Sequence, residues 1–212
     1  MARAAASEDL DCAPLRAALQ PFRVRIGARR IRPGDEEAAA GAPSTNIARR
    51  RASGAARIAA RRLLEELGSD GAAALARLPS GAPQWPEGVV GSLAHDEKFA
   101  VAAAARAGAI ACLGVDVEPA EPLPEDIVAM VLTPDEARET AEDGVLRRLI
   151  FAAKEAVYKA LNPLDGSWLE FHDVRVSLAD GEATLADGRR LRLFMLNGAR
   201  LIAVALADRG RR

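Results

Sequence analysis

Apolar and polar positions along this chain change period several times, and each change marks an element. Phe22 to Ile26 reads Phe-Arg-Val-Arg-Ile, a period of two that predicts a short half-exposed strand. After Ser44-Thr45, either of which can cap a helix, the period lengthens. Ala55, Ala59, Ala60, Leu63, Leu64 and Leu67 recur at helical spacing and predict a helix that runs to Leu67 and stops at Gly68. A Pro/Gly loop from Pro79 follows and leads into a short strand ending near His95. Phe99 to Ala105 and Ile110 to Val117 predict a hairpin about the Arg106-Ala-Gly108 turn. Thr133-Pro-Asp-Glu136 predicts a capping box at the start of a short helix. Leu146, Leu149, Ile150, Ala153, Val157, Ala160 and Leu161 then form one core-facing helical stripe. From Phe171 onward the pattern is strands: Phe171 to Leu178, a pair around Asp187-Gly188, and a hairpin at Asn197-Gly198 ending in Leu201 to Ala207.

With 212 residues, half of them apolar, the chain can build one domain of fair size or two small ones. Met1 to Asp11 has acids and no apolar core, so no signal peptide is expected. The longest apolar run, Phe99 to Val117, is interrupted by Arg106 and Gly108, which fits strands and not a membrane span. A soluble cytoplasmic protein with no membrane partner is expected. Cys12 and Cys112 lack any metal-ligand or redox spacing and are read as buried thiols.

Charge changes the picture more. Arg16 to Arg62 holds twelve arginines against Asp35, Glu36 and Glu37, whereas Asp116 to Asp143 holds ten acids against Arg138. Such segregation suits an anionic ligand on one side and a cation site or basic surface on the other. Arg50, Arg57 and Arg61 fall on one helical face, a row that is most comfortable against an anion. The alternative is a solvated arginine face.

The chain has 26 arginines and only three lysines, Lys98, Lys154 and Lys159, two of them in Phe151-Ala-Ala-Lys-Glu-Ala-Val-Tyr-Lys159. An ammonium is a compact point charge that suits a phosphate oxygen or a proton-transfer site better than a planar guanidinium does. On that helix Arg148, Ala152, Glu155 and Lys159 oppose the core stripe, with Phe151 and Tyr158 beside Glu155, so this flank is expected to be covered. Glu155 and Lys159 also read as an ordinary i,i+4 ion pair worth about 0.3 kcal/mol. In Leu113-Gly-Val-Asp-Val-Glu118 alternation sends Asp116 and Glu118 one way and Leu113, Val115 and Val117 the other. Two carboxylates at one strand end call for a cation, and Mg²⁺ suits them because it takes one or two carboxylates plus substrate phosphate oxygens. Trp85 between prolines reads as a ligand wall, Gly91 and Ser92 allow close backbone approach, and Ser92 and His95 offer donors at a strand end. His172 is read as structural, at a strand start.

Gly91-Ser-Leu-Ala-His95, Gly114-Val-Asp116-Val-Glu118 and Phe151-Ala-Ala-Lys-Glu155-Ala-Val-Tyr-Lys159, in that order, resemble the 4′-phosphopantetheinyl transferases of the two-half, surfactin-activating class. Ala82-Pro-Gln-Trp-Pro86 and the arginine helix are similar to the branch that includes siderophore-pathway, enterobactin-type enzymes. The resemblance spans about Arg50 to Asp173. It implies an α+β fold of two similar halves (a pseudo-dimer), each a small antiparallel sheet packed with a long helix, the active site at their interface. The halves would be 1–114, with the coenzyme A adenosine and phosphate contacts, and 115–212, with the metal and catalytic residues. The implied reaction moves 4′-phosphopantetheine from coenzyme A to a serine of an apo acyl or peptidyl carrier protein, releasing adenosine 3′,5′-bisphosphate. Siderophore, polyketide or nonribosomal peptide pathways supply such carriers. The resemblance further implies that Asp116, Glu118 and Glu155 hold Mg²⁺, with Mn²⁺ an alternative, and that Glu155 or a metal-bound water takes the serine proton. Lys154 and Lys159 would neutralise phosphate charge, Ser92 and His95 would bind the coenzyme phosphates, and Arg50, Arg57 and Arg77 would face the adenosine end and 3′-phosphate. A monomer with no nucleic-acid partner is expected.

The chain departs from that branch at Ser53 and Ala56, where an aromatic and a glycine are usual, at Leu78 after Arg77, and at Asp96, where small residues are more common. Two other readings keep the same residues: a non-catalytic coenzyme- or carrier-binding module of the same fold, and a metal-dependent phosphohydrolase built on the three carboxylates and a lysine.

Overall fold

Alternation within single strands sets the layering. In β3 (Phe99–Arg106) the residues Ala100, Ala102 and Ala104 face one way and Val101, Ala103 and Ala105 the other, all of them buried. The even set packs under α2 (Ile47–Glu66), against Ala55, Ala56, Ala59, Ala60, Leu63 and Leu64. The odd set meets β4 (Ile110–Pro119) and β8 (Arg200–Asp208), through Leu113, Val115, Val117, Ile202, Val204 and Leu206. On the far face of β8, Ala203 and Ala205 lie under α5 (Gly144–Asp165), with Ala153, Ala156, Val157 and Ala160. The order of layers is helix, sheet, sheet, helix.

The computed structural model describes residues 10–39, 45–69, 75–78, 81–166 and 168–209. The Ser44 cap, the stretch Met1 to Asp9 read for a leader, and Pro79-Ser80 of the loop lie outside them. α1 (Ala13–Leu19) and a 3₁₀ turn (Gln20–Phe22) precede β1 (Arg25–Arg30). β1, β3 and β2 (Val89–His95) make an antiparallel sheet in the order β1-β3-β2. After β4 come α3 (Glu125–Val131), α4 (Pro134–Glu139) and α5, then β5 (Val174–Ser177), β6 (Glu182–Leu185) and β7 (Arg190–Asn197). They complete a second antiparallel sheet in the order β4-β8-β7-β6-β5. The α+β architecture of two like halves, each an antiparallel sheet under a long helix, is the one expected.

Three local expectations are corrected. The first strand begins at Arg25 instead of Phe22, because Pro21 starts a 3₁₀ turn and Arg23 adopts φ 55°, which redirects the chain. The hairpin over Phe99 to Val117 does not form. β3 pairs with β1 and β2, β4 pairs with β8, and the chain changes sheets between Arg106 and Ile110. β3 is apolar on both faces and β4 is apolar from Ile110 to Val115, so their pattern fixes neither partner. The expected boundary at 114/115 falls inside β4, the whole of which belongs to the second sheet. Asn46 caps α2, its side chain accepting from Ala48 N and Arg49 N at 2.9 and 3.2 Å, and Gly68 at φ +66° follows its end.

Close approach positions the long helices. A Cβ at Gly114 would stand 1.9 Å from Ala156 O, so α5 lies directly on β4. A Cβ at Gly54 would stand 1.7 Å from Asp35 O, which seats α2 against the 3₁₀ turn Asp35–Ala38. Among the described residues no helix is long and apolar enough to cross a membrane.

Candidate active site

Gly114 admits α5 at the face of β4 that carries Asp116 and Glu118, as the alternation predicted. Lys159 Nζ donates to Asp116 Oδ1 at 2.5 Å. Arg148, three turns earlier, donates from Nη1 to Glu118 Oε2 at 3.0 Å and from Nη2 to Pro122 O at 2.8 Å. The polar face of α5 thus meets the strand end residue by residue, and the lysine bridges to the strand instead of to Glu155. Asp116 is only 5% exposed, and its Oδ2 is buried with no hydrogen-bond partner.

Asp116 acts electrostatically on both Glu118 and Glu155, and all three carboxylates have lost hydration. Burial pushes Asp116 up, against the pull of Lys159. Burial and then the Asp116 charge raise Glu118, with Arg148 opposing. Burial and Asp116 likewise raise Glu155, with Lys159 opposing. Glu155 and Tyr158 line a cavity of about 240 Å³ with Trp168, Leu169 and Phe171. The expected cover over the aromatic flank is this segment: Phe171 meets Phe151 at 5.6 Å with the rings tilted by 43°, and Trp168 meets Tyr158 edge-on at 6.1 Å.

Among the described residues no three Asp, Glu, His or Cys side chains are gathered as they would be around a bound metal. The donor set still fits a hard divalent cation: all three groups offer oxygen, one buried oxygen lacks a partner, and burial makes each carboxylate resist ionising, with the Asp116 charge adding to that at Glu118 and Glu155.

Lys154 requires a correction. Its side chain is buried and turns away from Asp116, and Nζ donates to Glu136 Oε2 at 2.7 Å, Val131 O at 2.9 Å and Phe171 O at 3.0 Å. All three ammonium protons are used, so none remains for a phosphate. Glu136 also accepts from Val176 N at 2.7 Å and, through the expected capping box, from Thr133 N at 2.8 Å.

The first half holds the positive side. A cavity of about 740 Å³ lies between α2 and the loop after it, lined by Arg49, Ser53, Arg57, Arg77, Leu93 and His95 among others. Arg57 is 5% exposed; Nε donates to Leu75 O at 2.9 Å and Nη1 to Ser53 Oγ at 2.5 Å. Burial, then Arg77 and Arg61, lower its pKa, as expected of crowded cations awaiting an anion. Arg77 is held by Gly81 O at 3.1 Å. Arg50 is exposed on the first turn and is not among the lining residues; Arg49 is, and helical spacing from Arg57 gave no sign of that exchange. Ser53 and Ala56, where the sequence departs from its branch, both line this cavity.

β2 separates the two donors expected together. His95 and Leu93 face the arginine cavity, while Ser92 is buried on the opposite face, which carries Ala94 toward the second sheet. Loss of hydration and then the Lys159 ammonium hold His95 below its ordinary value, so this edge of the first half is electrically in touch with the second. Trp85 is not a ligand wall. Its ring packs with the α2 core over Gly91, where a Cβ would stand 2.5 Å from Cζ2, so the close approach at Gly91 serves the indole. His172 sits exposed in the 3₁₀ turn Phe171–Asp173, just before β5.

Comparison with known proteins gives two adjoining matches. Residues 35–105 match the family model of the 4′-phosphopantetheinyl transferase N-terminal domain, and residues 112–204 that of the 4′-phosphopantetheinyl transferase superfamily. The chain is 45% identical over 104 residues to 4′-phosphopantetheinyl transferase Svp of Streptomyces mobaraensis (46% of this chain, 42% of the relative). It is 40% identical over 138 residues to 4′-phosphopantetheinyl transferase Npt of Nocardia iowensis (63% and 62%). With 4′-phosphopantetheinyl transferase PptT of Mycobacterium tuberculosis it shares 34% over 157 residues (72% and 68%). The match thus spans less than two thirds of the length of the first two relatives.

Proposed function

The chain belongs to the 4′-phosphopantetheinyl transferase superfamily, and on that premise we propose that it transfers 4′-phosphopantetheine from coenzyme A to a serine of an apo acyl or peptidyl carrier protein. The observation that carries this reading is the meeting of an arginine cavity and a carboxylate pocket at one seam, with His95 on the first side and Asp116, Lys159 and Glu155 on the second. A long donor such as coenzyme A, charged at two separated places, its 3′-phosphate and its pyrophosphate, needs both.

The half built on β1, β2, β3 and α2 holds the nucleotide end in this reading. Arg49, Arg57 and Arg77 receive the 3′-phosphate and adenosine, with Arg50 at the rim, and His95 leads toward the pyrophosphate. The half from β4 onward carries the chemistry. The serine hydroxyl attacks the phosphorus bearing pantetheine, Glu155 takes its proton, and adenosine 3′,5′-bisphosphate leaves with the bridging oxygen. Its raised pKa makes Glu155 a better proton acceptor than an ordinary carboxylate. Lys159, already beside Asp116, neutralises charge on the transferred group, and the apolar cavity at Tyr158 and Trp168 accommodates the uncharged pantetheine arm. Asp116, Glu118 and Glu155 would hold Mg²⁺ or Mn²⁺, which supplies positive charge on the pyrophosphate when bound.

The test is the intact mass of an apo carrier protein incubated with this protein, coenzyme A and Mg²⁺, with and without chelator. A gain of one phosphopantetheine, lost with chelator, is expected. Unchanged mass across acyl and peptidyl carriers would overturn the reading.

A further inference from the structure

Asp96 follows His95 at the turn between β2 and β3, and its two carboxylate oxygens do different work. Oδ1 accepts from Lys98 N and Phe99 N, both at 2.6 Å, and closes the turn. Oδ2 is not needed for that turn, yet it is buried, and it lies against Arg200 Nε from the other half. The contact is charge against charge, since neither atom has an aligned hydrogen-bond partner. The side chains are 5% and 15% exposed. The Arg200 guanidinium also lies over the Phe99 ring at 5.2 Å, with Arg30 over the same ring at 5.9 Å.

Arg200 is placed where such a contact matters. It opens β8, which pairs with β4 so that Pro119 faces Arg200, Glu118 faces Leu201 and Asp116 faces Ala203. One ion pair therefore ties the residue after His95 to the strand beside the two carboxylates. Elsewhere the halves meet mainly through apolar side chains of the two sheets, which resist separation but have no directional charge to fix the last ångström at this edge.

We propose that the Asp96–Arg200 pair is a positioning device that sets His95 against the Asp116–Lys159 edge for the coenzyme pyrophosphate. The inference rests on the transferase reading above. Neither residue touches the substrate; both act through His95.

Calorimetric binding of coenzyme A tests it, with the melting temperature of each variant measured alongside. Asp96→Asn keeps the turn bonds and removes the charge; Arg200→Gln removes the partner without touching the turn. Each should raise Kd about tenfold, and the double variant should be no worse than either alone. Arg200→Lys should recover part of the affinity. In a His95→Ala background Asp96→Asn should add nothing. Wild-type affinity in Asp96→Asn or Arg200→Gln, with only a lower melting temperature, would overturn the proposal. So would the full Asp96→Asn penalty persisting without His95, or wild-type affinity in His95→Ala alone. Should Asp96→Asn fail to fold, Arg200→Gln and Arg200→Lys decide. A wild-type protein that binds no coenzyme A overturns the transferase reading itself, a separate result from equal binding by wild type and variants.

Discussion

Two lysine–carboxylate pairs flank α5. On one side Lys154 and Glu136 are nearly free of solvent, the lysine satisfied by two carbonyls besides its partner and the glutamate by two backbone N–H groups. On the other side Lys159 meets Asp116 at similar distance, but Asp116 keeps an unpartnered oxygen and Glu155 stands by with its pKa raised. The first pair is closed and braces α4, α5 and the turn before β5. The second keeps one carboxylate oxygen unsatisfied. Burial and charge alone do not separate a structural ion pair from a functional one; the count of unsatisfied atoms does.

The contrast can be broken most severely at the closed pair. Lys154→Met leaves Glu136 buried without its cation, and a loss of about 3–5 kcal/mol in denaturant unfolding is expected. A loss below 1 kcal/mol would remove the distinction. At the open pair the same chemistry gives the reverse pattern. Glu155→Gln should cut transfer about 10²–10⁴-fold in the mass assay while the melting temperature holds or rises, because a group resisting ionisation has been removed. Full activity in that variant would take the proton-acceptor role away from Glu155.

A subtler cut is Gly114→Ala. The added methyl runs into Ala156 O, and about 1–3 kcal/mol of stability should go with it. Activity should fall further than stability explains, since the shift moves Lys159 and Glu155 relative to Asp116. The smallest effect concerns His95. Its folded pKa lies below the ordinary value of about 6.5, so the fold binds the proton less tightly than the unfolded chain does. The contribution of His95 is therefore present above about 6.5 and is lost as pH falls from there toward the folded pKa. His95→Gln should flatten that part of the melting-temperature profile, and an unchanged slope would separate His95 from Lys159.

Much of the open side was legible in the sequence. Period-two alternation put Asp116 and Glu118 on one face of β4, helical spacing put Arg148, Glu155 and Lys159 opposite them, and the Thr133-Glu136 box stands where the residues predict it. What was illegible shares one cause, dependence on a partner far along the chain. Lys154 looks like a second active-site lysine until Glu136 and Phe171 O are in place around it. Phe99 to Ala105 reads as half of a hairpin with Ile110 to Val117 because nothing in two largely apolar runs says that β8 is the better partner of the second. Trp85 is rightly extended, but an extended backbone does not say toward which side the ring turns.

The core between the two sheets has a consequence for how a substrate comes and goes. In many two-part enzymes the walls of the cleft swing on a hinge. Here the plane along which such a hinge would open is filled by Val101, Val115, Val117, Ile202 and Val204, each at most 1% exposed. Parting the walls would mean wetting that plane, so adjustment to a ligand falls to side chains at the rim, such as the exposed Trp168, over a bed that stays closed.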